Sequence, residues 1–178
     1  TIPLASATNL ALTLKHIGQK MNLEEDVLFL YLTSHGSSNH ELAVNMWVLD
    51  LNDIRPEDIQ SYLDEAGIRW RIILISACYS GGFIQQLQNE NSLIFTAAAA
   101  DKTSFGCANE NDFTYFGEAV FDQIKREPYL LESSFKMVIE KIKQRELSEK
   151  LPNSEPQLFI GSRMLDKLKQ LEQEIRFP

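Results

Sequence analysis

A histidine and a cysteine, each placed just after a short apolar run, are the two residues of this chain best suited to chemistry. The first run covers residues 27–32 and ends shortly before His35. The second run covers residues 72–77 and leads directly to Cys78. A thiolate attacks a carbonyl carbon, and an imidazole beside it accepts the thiol proton and later protonates the leaving group. This pair of residues therefore indicates nucleophilic catalysis by a cysteine.

Both apolar runs have the composition of strands that are buried on both faces of a parallel sheet. They are short, rich in β-branched and aromatic residues, and almost uninterrupted. If the two strands lie side by side and parallel, their carboxyl ends share one edge of the sheet. We therefore expect His35 and Cys78 to face each other at the edge where open α/β sheets place their active sites.

The residues around this pair offer what a cysteine nucleophile needs besides a base. Residues 80–82 read Ser-Gly-Gly and predict a turn from the second strand into a helix, so that the backbone N–H groups near Cys78 can point outward. Gly36 directly follows His35 and lets a substrate approach a bare backbone N–H. Such N–H groups hold the oxyanion of a tetrahedral intermediate, each contributing roughly 2.7–4 kcal/mol in the transition state.

The composition is that of a globular protein and argues against several classes of function. The chain has 178 residues, 44% of them hydrophobic and 24% charged, which suggests one domain, and its net charge is −8. Nucleic acid and anionic membranes are not expected partners, because binding to either requires a basic surface. The apolar runs are too short to span a bilayer. Two cysteines are too few for a disulfide scaffold or a zinc site, and calcium-loop and phosphate-loop motifs are missing, so we predict no metal and no cofactor.

The rest of the chain alternates between strand-like and helix-like patterns, which predicts an α/β fold with a mostly parallel sheet and helices on both faces. The predicted strands cover residues 26–33, 71–77, 92–98 and 157–160. The predicted helices cover residues 6–21, 56–66, 113–127, 130–148 and 162–175, with a further short helix that ends near residue 88. Residues 37–50, which carry a short extended piece at 42–49, and the Asn-rich residues 101–112 are predicted loops. His16 on the first helix is expected to be structural or exposed, and His40 in the first loop is expected to be a solvated loop residue.

Four stretches, which include the first apolar run and the end of the second, match the pattern of a known family in the right order. They read DVLFLYLTSHGS at 26–37, ISACYSGG at 75–82, FTAAAADKTSFGC at 95–107 and YFGE at 115–118. The chain resembles the legumain-type cysteine peptidases of peptidase family C13, and it is more similar to the bacterial members than to the eukaryotic ones. The family shares the caspase-like fold with caspases, gingipains and separases. The resemblance therefore implies that residues 1–178 form a single caspase-like domain, a three-layer sandwich.

The resemblance also implies a role for individual positions. His35 would be the general base and acid, Cys78 the nucleophile, and the backbone N–H groups of Gly36 and Cys78 the oxyanion donors. The primary specificity pocket would be lined by Ser76, Thr103, Ser104 and Glu118. Legumains carry an acidic residue where this chain has Ser76, so a preference for cleavage after asparagine is not expected. Glu118 either faces the pocket, where it would favour a basic or amide side chain, or is an exposed helix carboxylate.

One departure from the family pattern concerns the start of the fold. The family fold begins with a strand–helix–strand unit, which we do not find ahead of the helix at 6–21. We therefore expect a domain that is incomplete at its N-terminal end, with the strand at 26–33 on an open edge of the sheet. A long apolar edge strand is a template for pairing with another strand. Either an N-terminal piece has been removed or a partner chain covers the edge, and homodimerisation through strand 26–33 is our hypothesis.

The sequence as a whole predicts a cysteine endopeptidase that hydrolyses peptide or protein substrates through an acyl-enzyme thioester. Two alternatives stay open: a transpeptidase that uses the same two residues, and a non-catalytic caspase-like module that binds a partner. An α/β hydrolase with a cysteine nucleophile fits poorly, because no histidine follows Cys78. The compartment also stays open, since the sequence is equally compatible with a cytoplasmic and with an exported protein.

Overall fold

A computed structural model of the chain describes residues 3–46, 48–108, 111–127 and 132–176. The strands are β1 (Val27–Thr33), β2 (Trp70–Ser76), β3 (Ser92–Thr96) and β4 (Gln157–Ile160). The helices are α1 (Ala7–Gly18), α2 (Pro56–Glu65), α3 (Ile84–Leu87), α4 (Tyr115–Arg126), α5 (Glu132–Ser148) and α6 (Ser162–Arg176). A short 3₁₀ helix, Ser80–Phe83, leads directly into α3. Among these helices, none is both long and apolar enough to cross a membrane.

The predicted strands and helices are present, with ends that differ by up to three residues. Among its described residues, the extended piece predicted at 42–49 forms isolated bridges at Leu42, Met46 and Leu49 and no regular strand. Parts of three predicted segments lie outside the described residues. They are residue 47 of the first loop, residues 109–110 of the Asn-rich loop and residues 130–131 of the helix at 130–148.

The four strands lie in the order β1-β2-β3-β4. β2 pairs in parallel with both β1 and β3, whereas β4 runs antiparallel to β3. The pairing of β1 with β2 begins at Val27 opposite Trp70 and ends at Thr33 opposite Ser76. Because both strands end at the same level, the segments that follow them emerge side by side at one edge of the sheet.

The side chains of β2 alternate between two apolar layers, as the pleat of a strand requires. Ile73 and Ile75 belong to the layer under α1, α2 and α3, whose other buried members include Leu14, Ile59, Leu63 and Leu87. Ile72 and Leu74 belong to the opposite layer under α4, α5 and α6, whose other buried members include Phe116, Phe135, Val138 and Met164. The predicted three-layer α/β sandwich with helices on both faces is therefore confirmed.

β1 forms one edge of the sheet among the described strands, as the sequence indicated. Its Phe29 side chain is 42% exposed. The pairing of this edge with a second copy of the chain stays a prediction.

Phe95 at the centre of the second layer offers a test of this core. Its ring centroid lies 4.9 Å from that of Phe116 and 5.0 Å from that of Phe135. We expect Phe95→Ala to lower the free energy of unfolding by about 3–5 kcal/mol, because the neighbours can fill the cavity only in part. Phe113→Ala makes the same truncation at a ring that is 57% exposed, and it should cost about 0.5 kcal/mol or less. Urea denaturation followed by circular dichroism measures both, and equal losses would contradict this account of the core.

Candidate active site

The parallel strands β1 and β2 bring His35 and Cys78 into one cleft. Beyond the paired residues Thr33 and Ser76, the ladder continues with a bond of 3.3 Å from the Ser34 N–H to the Ser76 carbonyl oxygen. His35 lies two residues after Thr33, and Cys78 lies two residues after Ser76. Both side chains line the same cavity of about 190 Å³. The His35 side chain is exposed and Cys78 is half-buried, so a substrate can reach both.

Hydroxyl-bearing side chains make up most of the remaining cleft wall. Besides His35 and Cys78, the cleft is lined by Thr33, Ser34, Ser76, Ser104, Phe105, Cys107 and Thr114. The buried Ser76 hydroxyl lies 2.7 Å from the Thr114 Oγ1. Thr114 is also the N-cap of α4, where its Oγ1 accepts a hydrogen bond of 3.0 Å from the Gly117 N–H. One hydroxyl pair thus fixes the end of β2 to the start of α4.

The sulfur of Cys78 has polar partners on Ser104. The Ser104 N–H donates to it over 3.3 Å, and the Ser104 hydroxyl lies 3.8 Å away. The Ser104 carbonyl oxygen lies 3.6 Å from the sulfur and can accept a hydrogen bond from the thiol. The N–H and the hydroxyl are donors, and the carbonyl oxygen is an acceptor. This one residue therefore provides a partner for both protonation states of the cysteine.

Gly36 brings the segment after β1 against the segment after β2. A Cβ on Gly36 would lie 2.0 Å from the Cys78 carbonyl oxygen, so that only glycine allows this contact. Within the described part of the chain, the backbone N–H groups of Gly36 and Cys78 donate no hydrogen bond. Two unused N–H donors beside the Cys78 sulfur are the groups that an oxyanion would require.

Of the four residues predicted to line the specificity pocket, the structure brings two to the cleft. Ser76 and Ser104 line it, whereas Thr103 is exposed and does not. Glu118 also lies outside the cleft, and its carboxylate is paired with Arg145 on α5. A contribution of Thr103 or Glu118 to specificity would therefore need a substrate that extends beyond this cleft.

Glu118 belongs to a charged cluster that holds the start of α4 against α5. The guanidinium of Arg145 lies 3.7 Å from the centroid of the Tyr115 ring and also pairs with Glu149 over 3.1 Å. The hydrogen bond that the Tyr115 hydroxyl donates to Glu149, together with the bond from Arg145, lowers the pKa of Glu149. The same bond, with partial burial, raises the pKa of Tyr115. Because Tyr115 directly follows Thr114, this cluster secures one wall of the cleft.

Five cleft residues were not among the predicted site residues. They are Thr33, Ser34, Phe105, Cys107 and Thr114. The sequence carried a signal for Thr114, because a threonine just ahead of an apolar helical pattern is a typical N-cap. Thr33 and Ser34 follow from their place at the end of β1. Phe105 and Cys107 reach the cleft through the course of a long loop, for which the sequence offers no comparable pattern.

Two cavities that share residues with the cleft contain no imidazole. A larger cavity of about 430 Å³ lies between α1 and residues 42–45 and shares Thr33 and Ser34 with the cleft. Its lining is mostly apolar and contains no ionisable side chain. In the described ranges, no group of three or more His, Cys, Asp or Glu side chains is arranged to hold a metal ion. The cleft with His35 and Cys78 is therefore the candidate active site.

Comparison with known proteins adds a family and a fold to this geometry. A model of the peptidase C13 family matches residues 12–166. The crystal structure of Caspase-1 from Spodoptera frugiperda is similar with a TM-score of 0.65 at 14% sequence identity, over 89% of this chain and 69% of that chain. The structure of pro-sf-caspase-1 is similar with a TM-score of 0.60 at 14% identity, over 89% of this chain and 72% of that chain. At such low identity the structural similarity shows the fold alone. It confirms the predicted caspase-like architecture. No curated protein matches the sequence.

The contact at Gly36 can be tested by adding one methyl group. We expect Gly36→Ala to lower the free energy of unfolding by about 1–3 kcal/mol, because the new Cβ would collide with the Cys78 backbone rather than with a flexible side chain. Ser38→Ala in the same loop removes an exposed hydroxyl and serves as the matched control with a change of about 0.5 kcal/mol or less. Chemical denaturation of both variants decides the point, and a Gly36→Ala variant as stable as the control would contradict the close contact.

Proposed function

Because this chain belongs to the peptidase C13 family and is thus of the cysteine peptidase type, we propose that it is an endopeptidase with Cys78 as nucleophile and His35 as general base and acid. The proposal rests on one observation above all. The two side chains line a single cleft at the level where two parallel strands end. Four further cavities formed by the described residues do not combine a thiol with an imidazole.

In the first half of the proposed reaction, the Cys78 sulfur attacks the carbonyl carbon of a peptide bond while His35 takes up the thiol proton. The carbonyl oxygen becomes an oxyanion, which accepts hydrogen bonds from the N–H groups of Gly36 and Cys78. When the tetrahedral intermediate collapses, the C–N bond breaks and His35 gives its proton to the leaving amine. The product is a thioester between Cys78 and the acyl part of the substrate.

In the second half, water attacks the thioester carbonyl and loses a proton to His35. The C–S bond then breaks, the acid product leaves, and the sulfur recovers a proton through His35. The exposure of His35 supports this step, because water reaches the imidazole from bulk solvent. A peptide amine in place of water would give a new peptide bond, which is the transpeptidase alternative, and mass spectrometry of the products separates the two outcomes.

The first test is peptide hydrolysis by the purified chain with a fluorogenic peptide library. We expect Cys78→Ala and His35→Ala each to lower kcat/KM by a factor of about a thousand or more, because the two side chains act as a unit. His16→Ala removes an exposed histidine on α1 and should leave kcat/KM unchanged. Full activity of either cleft variant would contradict the proposed dyad, and a wild-type chain that cleaves no peptide would favour the non-catalytic module.

A second test compares the two cysteines without any substrate. Cys107 is exposed and Cys78 only half-buried, so accessibility alone predicts that iodoacetamide modifies Cys107 first. Activation by His35 and Ser104 should reverse this order at neutral pH, since the thiolate is the reactive form. Peptide mapping by mass spectrometry gives both rates. We expect His35→Ala to slow the alkylation of Cys78 by roughly tenfold or more while that of Cys107 stays constant. Unmodified Cys78 under conditions that label Cys107 would argue strongly against a nucleophilic role.

A further inference from the structure

The turn that carries Cys78 holds its next residue in a conformation that needs external support. Tyr79 has φ 57° and ψ 16°, in the left-handed region that residues with a side chain seldom adopt. Its N–H donates to the Lys102 carbonyl oxygen over 2.7 Å, and its carbonyl oxygen accepts from the Gly82 N–H over 3.2 Å. These bonds fix the turn from the side of the chain that follows Cys78.

His40 supplies a third contact to Tyr79, and this one comes from the loop that carries His35. The His40 Nδ1 lies 3.1 Å from the Tyr79 carbonyl oxygen. A carbonyl oxygen only accepts hydrogen bonds, so this contact requires that Nδ1 bears the proton and donates it. His40 is half-buried. The expectation of a solvated loop residue was therefore wrong, because the loop turns this ring inward onto the 3₁₀ helix after Cys78.

Gly82 provides the space in which the His40 ring lies. A Cβ on Gly82 would be only 2.2 Å from both the Cγ and the Nδ1 of His40. The loop itself is closed by hydrogen bonds from the His40 N–H to the Ser37 carbonyl oxygen, 2.9 Å, and from the Ser37 N–H to the Glu41 carbonyl oxygen, 3.1 Å. His40 has φ 61° within this loop. The backbone of His40 is thus fixed within its own loop, and its ring packs directly against the backbone of Gly82.

We propose that His40 is a positioning residue, which ties the loop after β1 to the turn after β2 and so keeps the Cys78 sulfur and N–H in register with His35. His40 does not line the cleft, so it acts through the Tyr79 carbonyl and does not touch the substrate. The kinetic part of this inference rests on the proposed peptidase function. The hydrogen bond and its effect on the reactivity of Cys78 do not depend on that function.

Three substitutions separate the donor from the ring. His40→Asn places an amide N–H near the position of Nδ1, and asparagine tolerates a φ of 61°. His40→Phe keeps a ring of similar size without a donor, and His40→Ala removes both. We expect His40→Phe and His40→Ala to lower kcat by about tenfold to a hundredfold with KM within about twofold, since a misplaced nucleophile slows chemistry more than binding. His40→Asn should restore kcat to within about threefold of wild type, and His16→Ala again serves as the control.

Two kinetic results would overturn the proposal. A His40→Phe variant with wild-type kcat would show that the donor is not needed. A His40→Asn variant as inactive as His35→Ala would show that the imidazole itself takes part in the reaction, so that His40 is catalytic rather than positioning. Thermal unfolding of each variant accompanies the kinetics, and the comparison is made between variants whose unfolding midpoints agree.

A measurement on the resting protein tests the same hydrogen bond without any substrate. Long-range ¹H–¹⁵N NMR of the full chain at pH 8 should show His40 protonated on Nδ1, whereas a proton on Nε2 alone would overturn the proposal. If the wild-type chain hydrolyses no peptide, the proposed function fails. In that case two measurements still test the inference. One is the tautomer of His40, and the other is the rate at which iodoacetamide modifies Cys78 in His40→Phe compared with His40→Asn. A slower rate in the phenylalanine variant alone supports it, and equal rates reject it.

Discussion

The parallel pairing of β1 with β2 in one register is the constraint on which the candidate site depends. Thr33 lies opposite Ser76, and His35 and Cys78 each follow two residues later. The register is pinned by the core, because Ile73 and Ile75 face one apolar layer while Ile72 and Leu74 face the other. A slip by one residue would turn every side chain of a strand to the wrong face. The free energy that stabilises the sheet therefore also sets the separation of imidazole and sulfur.

Beyond this pairing, the cleft is built from short polar contacts between segments distant in sequence. Ser104 comes from the loop after β3 to meet the Cys78 sulfur, and Thr114 comes from the start of α4 to meet Ser76. Behind this wall, Arg145 on α5 holds Tyr115. Each contact is individually modest in free energy. Together they surround the sulfur with hydrogen-bonding groups while leaving the N–H groups of Gly36 and Cys78 free among the described residues.

The parts of this structure that could be predicted from the sequence are those with local, periodic causes. The apolar runs before His35 and Cys78 predicted β1 and β2, and the rule that parallel strands end at one edge predicted a shared cleft. The partner of Glu118 could not be predicted, because Arg145 lies 27 residues away on another helix. The inward turn of His40 depends on the space above Gly82, which only the folded backbone reveals. Side-chain packing between distant segments produces no periodic pattern in the sequence. In this protein, that packing determines which candidate residues lie in the cleft.

The fit between the His40 ring and Gly82 has a consequence for how this protein can diverge. Neither position can change freely while the other stays as it is, because the ring fills the volume that a side chain on the neighbouring helix would occupy. Among descendants and relatives, an enlarged residue at 82 should be inherited together with a reduced one at 40. Such correlated replacement would reveal the contact, which neither position reveals when it is considered alone.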